Sequence, residues 1–120
     1  YWMRKVAKVH VRRSPIHGRG VFAVDPLGRG SIVEACPALV LSVDDIRDNG
    51  TLSFYVYDWG DERVALALGY GSLYNHSESP NAYAEIDHVR HMIIIKALRR
   101  IEADEEVTLN YGEDYPREWA

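Results

Sequence analysis

The segment Met92-Ile93-Ile94-Ile95-Lys96-Ala97-Leu98 carries three consecutive isoleucines in a short apolar run. Such a run reads as a strand buried on both faces. Downstream, residues 106–110 alternate apolar and polar types and end at Tyr111-Gly112. Upstream, residues 6–11 set Val9 and Val11 against Lys8 and His10, the period-two pattern of a half-buried strand. Residues 21–24 form a short apolar run, and 31–35 and 38–42 read as two strands broken by Pro37. Residues 15–20 are loop, and Asp25-Pro26-Leu27-Gly28-Arg29-Gly30 concentrates turn-forming types. Helical signals are confined to a turn capped by Asp44 and to residues 71–74; no 3.6-residue stripe lasts three turns. The pattern predicts a mostly β domain of many short strands, without repeats, low-complexity tracts or linkers.

At 120 residues the chain fits a single domain, residues 1–120. Apolar types make up 47% of it. That supplies a core able to hide about two-thirds of the unfolded surface, which excludes a disordered chain. No stretch approaches the ~18 apolar residues of a membrane span, and no charged-then-apolar start resembles a secretory signal. Cys36 is the only cysteine, which excludes an internal disulfide and a thiolate metal site. A reducing intracellular compartment, cytoplasmic or nuclear, is therefore expected.

The net charge of −4 conceals an asymmetry. Residues 1–20 hold six basic groups and no acid, while the remaining hundred hold eight basic and eighteen acidic groups. An acidic body suits a cationic partner, because complementary fields speed encounter. Nucleic acid would need a broad basic surface, and only the short N-terminal arm offers one, so direct nucleic-acid binding is not expected. Residues 44–62 gather six acids and one arginine beside Phe54, Tyr55, Tyr57 and Trp59.

Three islands could carry chemistry. In Gly18-Arg19-Gly20-Val21-Phe22 two glycines let backbone N–H groups approach a ligand closely. Asn75-His76-Ser77-Glu78-Ser79-Pro80-Asn81-Ala82 packs side-chain and backbone donors into one loop. In Glu105-Glu106-Val107-Thr108-Leu109-Asn110-Tyr111-Gly112 the alternation puts Tyr111 on the face of Val107 and Leu109. Taken singly, each has a plain structural reading: a turn, a hydrogen-bonded loop, and a core tyrosine with a satisfied hydroxyl.

In that order, Gly-Arg-Gly-Val-Phe-Ala, Asn-His-Ser-x-x-Pro-Asn and Glu-Glu-Val-Thr-Leu-Asn-Tyr-Gly resemble the SET-domain protein lysine methyltransferases, over residues 6–115. Ala65-Leu66-Ala67-Leu68-Gly69 also looks family-like. The chain lacks the cysteine-rich zinc segments that flank many eukaryotic members and is most similar to compact viral and bacterial ones. The resemblance implies several short twisted sheets, with a C-terminal segment threaded through a loop near Asn75-His76, a rare topology. It also implies S-adenosylmethionine as cofactor and methyl transfer to a lysine ε-amine of a basic protein, with a histone tail the natural substrate.

By matching positions, Gly18, Arg19 and Gly20 would touch the cofactor's methionine part through their backbone. Asn75 would hold its amino group, His76 would face the adenine through main-chain atoms, and Tyr115 or Trp119 would cover the adenine. Tyr111 matches the catalytic tyrosine. Tyr55 matches an aromatic wall of the lysine channel, with Tyr57 taking its place if the match is shifted. Leu109 and Ala84 stand where other members place a bulky phenol, which implies room for di- or trimethyl products. Residues 44–62 fall at the variable insert that docks an extended peptide by strand addition. Some minimal members pair as homodimers.

The chemistry sets its own demand. A lysine of pKa ~10.4 is protonated at neutral pH, and removing that proton costs about 4–5 kcal/mol. A carboxylate beside the amine would favour the charged form; a narrow aromatic channel disfavours it by desolvation. Two positive charges ~4 Å apart also repel by about 4 kcal/mol at an effective dielectric of ~20, so a sulfonium helps. The expectation is an enzyme with no carboxylate general base, whose acids attract the substrate from outside. A non-catalytic peptide-binding module on the same scaffold is the alternative. His88 and His91 are badly spaced for a metal site, and none is expected.

Overall fold

The computed structural model describes residues 8–112. Among these residues are nine strands: β1 Val9–Arg13, β2 Arg19–Ala23, β3 Ile32–Ser42, β4 Val56–Gly60, β5 Arg63–Ala67, β6 Asn75–His76, β7 Ala82–Asp87, β8 Met92–Ala97 and β9 Glu106–Leu109. One short helix, α1 Val43–Ile46, and a 3-10 turn, Leu52–Phe54, lie between β3 and β4. The strands form two sheets, ordered β1-β2-β9-β6 and β4-β5-β3-β8-β7. The domain is mostly β, as the alternation predicts.

The isoleucine run is β8, but it is buried on one face rather than two. Ile93, Ile95 and Ala97 are sealed in the core, whereas Met92, Ile94 and Lys96 on the opposite face are half-buried. Its neighbours β3 and β7 are both antiparallel to it, and antiparallel sheets commonly leave one face open. The expected break at Pro37 is also absent, and β3 runs straight through it. Residues 32–37 of that strand pair with β8, and residues 38–42 pair with β5. Pro37 sits where the strand changes partner, the place at which a missing N–H costs least. Helix α1 is capped by Ser42 rather than Asp44. The Ser42 hydroxyl accepts from Asp44 N at 3.2 Å, and the Asp45 carboxylate accepts from Ser42 N at 3.0 Å, a reciprocal capping box.

One contiguous core draws on both sheets, with Val21 from β2, Cys36 from β3, Ala65 from β5, Ile93 and Ile95 from β8, and Val107 from β9 all fully buried. Each such isoleucine contributes about 1.5–3 kcal/mol by leaving water. What positions the site is the first sheet. Strand β9 enters between β2 and β6, antiparallel to the first (Val21↔Val107) and parallel to the second (Asn75↔Thr108, His76↔Leu109). The three sequence islands thereby become neighbouring strands. The chain beyond residue 112, with Tyr115 and Trp119, lies outside the described residues.

Candidate active site

Two cavities open beside the β6–β9 pair. One, of about 320 Å³, has His17, Gly18, Arg19, Leu73 and Asn75 in its wall. The other, of about 400 Å³, includes Tyr57, Tyr83, Ala84, Leu109 and Asn110. Phe54, Tyr55, Ser72, Tyr74 and Tyr111 line both, so the two cavities share a largely aromatic partition.

Tyr111 follows directly on β9, and its placement is settled from two sides. Its backbone N donates to His76 Nδ1 at 3.0 Å, with the two rings 5.2 Å apart. Its hydroxyl donates to the backbone carbonyl of Tyr74. With that hydrogen committed, the Tyr111 oxygen meets a further group as an acceptor. Tyr57 is arranged alike, its hydroxyl donating to the Gly71 carbonyl at 2.7 Å. Burial, followed by the neighbouring Tyr111, pushes the Tyr57 phenol well above its ordinary range. The Tyr74 hydroxyl donates to Glu34 Oε1 at 2.7 Å. Burial first, and then the Glu34 charge, raise its pKa strongly too. Neither phenol ionises at physiological pH.

Asn75 is oriented by acceptors. The two hydrogens on its Nδ2 are shared among three acceptors, the carbonyls of His17 (3.1 Å) and Arg19 (3.0 Å) and Glu106 Oε2 (2.8 Å). Three acceptors around one end fix the amide nitrogen there and leave Oδ1 as the acceptor on the other end. Glu106 is steadied in turn by the Ser14 hydroxyl, which donates to it at 2.7 Å. Gly20 is where this packing is tightest. A Cβ at that position would run into the Glu106 carboxylate and stand 3.0 Å from Asn75 Nδ2.

Most of the expected residues within 8–112 line one cavity or both. Gly18, Arg19 and Asn75 line the first cavity, Tyr57, Ala84 and Leu109 the second, and Tyr55 and Tyr111 both. Gly20 and His76 line neither; one packs behind Asn75 and the other behind Tyr111. His88 and His91 stack edge-on against Trp59 at 4.6 and 5.5 Å between ring centres. Among the described residues, no group of three or more His, Cys, Asp or Glu is disposed to hold a metal ion. Sequence reasoning missed Tyr74, Glu34 and Glu106. The available signals were a tyrosine directly before Asn75 and a carboxylate inside the apolar run Ile32-Val33-Glu34-Ala35-Cys36.

The SET domain family model matches residues 18–112. The histone-lysine N-methyltransferase, H3 lysine-37 specific, of Schizosaccharomyces pombe is 34% identical over 116 residues, covering 88% of this chain and 79% of that protein. Human histone-lysine N-methyltransferase 2B is 33% identical over 122 residues, covering 91% of this chain but 4% of that much longer protein. A Plasmodium falciparum crystal structure described as a histone methyltransferase superposes with a TM-score of 0.80 at 34% identity, covering 92% of this chain and 98% of that one. These relatives are eukaryotic, where the compact build pointed to viral and bacterial ones. With its three islands joined in one sheet and the family model matched across most of its length, the chain belongs to the SET domain family.

Proposed function

We propose that the chain transfers a methyl group from S-adenosylmethionine to the ε-amine of a lysine in a basic histone tail. Its family and its curated relatives make it a protein-lysine N-methyltransferase; the residue roles and the substrate are the proposal. The observation that carries it is the partition of Tyr55, Tyr74 and Tyr111 common to both cavities. A donor on one side and an amine on the other can meet there.

The first cavity fits the cofactor by its donor set. Asn75 Oδ1 suits an α-ammonium, and the backbone at Gly18, without a side chain, allows close approach. When bound, S-adenosylmethionine supplies an electrophilic methyl group on a sulfonium. On the amine side, the acidic residue among the described ones in the wall of the second cavity is Asp58, which is exposed and accepts from Gly60 N at 2.9 Å. A lysine passing it enters a wall of phenols, where desolvation favours the uncharged amine. Tyr111 accepts one N–H of that amine and so aims its lone pair. Leu109 and Ala84 leave space beside it, which supports di- or trimethyl products.

Strands β4 and β7, the two edges of the five-stranded sheet, both contribute to this wall. An extended peptide laid against an exposed edge gains backbone hydrogen bonds, and the acids of residues 44–62 draw it in. Chromatin is the matching place of action. No described helix is long and apolar enough to cross a membrane.

Incubation with tritiated S-adenosylmethionine and mixed histones, followed by mass spectrometry, tests the reading. The expected outcome is label on a histone lysine, with more than one methyl at exhaustive turnover. Binding of cofactor and peptide without transfer would replace it with the non-catalytic peptide-binding module. Monomethyl product alone would remove the argument from Leu109 and Ala84.

A further inference from the structure

Glu34 lines neither cavity, yet its carboxylate is committed to the segment that shapes both. Its Oε1 accepts from the Tyr74 hydroxyl at 2.7 Å, and its Oε2 accepts from Tyr70 N at 3.0 Å. Gly69, with φ +69°, lies directly under it, and a Cβ there would come within 2.6 Å of Oε2. Both the left-handed backbone and the occupied space therefore require glycine at that position. A half-buried carboxylate without partners would be costly. Here its hydrogen bonds run to both ends of residues 70–74.

That same segment aims the phenols of the channel. The carbonyls of Gly71 and Tyr74 accept the hydroxyls of Tyr57 and Tyr111. The single Ser72 hydroxyl hydrogen is shared between the carbonyls of Ala67 at 3.1 Å and Tyr55 at 3.2 Å. Tyr74 is the link, because its side chain is tied to Glu34 while its carbonyl takes the Tyr111 hydrogen. We propose that Glu34 is a positioning residue for methyl transfer: by holding residues 70–74 from behind, it sets the direction of the Tyr111 hydroxyl. The proposal rests on the methyltransferase reading given above. It also accounts for a carboxylate held behind the wall and not at the point of transfer. Touching the amine, the charge would stabilise the ammonium form; behind a neutral phenol, it organises the wall without an ionic contact to the substrate.

The test is a double-mutant cycle on turnover, using Glu34→Gln, Tyr111→Phe and the pair. Gln keeps one acceptor and turns an NH2 group on one of the two donors, so one hydrogen bond is lost. Glu34→Gln is expected to lower kcat about tenfold with cofactor Kd within about threefold, and to add less than about twofold on top of Tyr111→Phe. Equal factors in both backgrounds overturn the proposal, since a merely structural role would not depend on the Tyr111 hydroxyl. Tyr74→Phe, which removes one hydroxyl and nothing else, is run through the same cycle with thermal melts, and it decides the matter should Glu34→Gln fail to fold. An active wild type with additive effects overturns the role of Glu34 alone. A wild type that transfers no methyl to any histone overturns the methyltransferase reading and this proposal together.

Discussion

At the scale of the residue, the proposed role of Tyr111 rests on one oxygen whose hydrogen goes to the Tyr74 carbonyl. Replacing Tyr111 with Phe keeps the ring against His76 and deletes the hydroxyl, removing both the acceptor and its hydrogen bond to the Tyr74 carbonyl. Turnover should fall by about two orders of magnitude while cofactor affinity stays within a few-fold; unchanged turnover would discard the assignment. Asn75 predicts the reverse split. Its amide is locked by Glu106 and by two carbonyls, so Asn75→Ala removes the Oδ1 acceptor and leaves Glu106 with the Ser14 hydroxyl as its remaining side-chain donor. Calorimetry should show weakened cofactor binding. Cys36 gives a prediction independent of catalysis. Burial first, and then the nearby Glu34 charge, push its thiol up to about 12 from a usual 9.0. The folded state therefore holds the proton more tightly than the unfolded one. Whatever this site contributes to stability is fully present below the unfolded pKa and is lost as pH rises from there towards 12. At pH 8 native Cys36 stays a thiol and should react slowly with iodoacetamide, and denaturant should release it. Rapid labelling of the native protein would contradict both its burial and the raised pKa.

At the scale of the element, the strands were legible because period two is a local signal, and β1, β2, β8 and β9 fall within a few residues of their expected places. What local pattern cannot carry is pairing. Pro37 looks like a break until β3 is seen to exchange β8 for β5 at that residue. The parallel β6–β9 contact joins segments more than thirty residues apart, and only the resemblance implied their meeting. The site divides in the same way. Its islands stood out by unusual residue combinations, whereas Glu34 and Glu106 act across 40 and 31 residues of sequence, and no local pattern names their partners. Gly20 shows the consequence. Its glycine was expected at the cofactor, but it lies on β2 where that strand passes under Glu106. Gly20→Ala should therefore act by overpacking, at a cost of about 1–3 kcal/mol. It should lower the melting temperature and weaken cofactor binding together, through the displaced Asn75. A fall in affinity at unchanged melting temperature would instead return Gly20 to direct cofactor contact.

At the scale of the whole molecule, charge is divided between a basic start and an acidic body. Several of the acids already have partners: Asp44 pairs with Arg47, Glu85 with Lys96, and Glu105 with Arg99. The Arg99 hydrogen bond is the largest reason that the Glu105 carboxyl lies below its usual pKa, so its contribution is present above about pH 4.5 and lost as pH falls further. Asp58, Asp61 and Glu62, on and just after β4, form no ion pair among the described residues. They remain available to a distant cation, and their field reaches only as far as salt allows. The screening length shrinks from about 30 Å at 0.01 M to about 8 Å at 0.15 M. Steering by these groups should raise the KM for a basic peptide several-fold over that range, while kcat changes little because steering acts before the amine reaches the phenols. Asp61→Lys with Glu62→Lys should raise the low-salt KM towards its high-salt value and flatten the dependence, leaving cofactor affinity as it was. If the double substitution leaves the salt dependence intact, these acids keep the protein soluble and do not recruit its substrate.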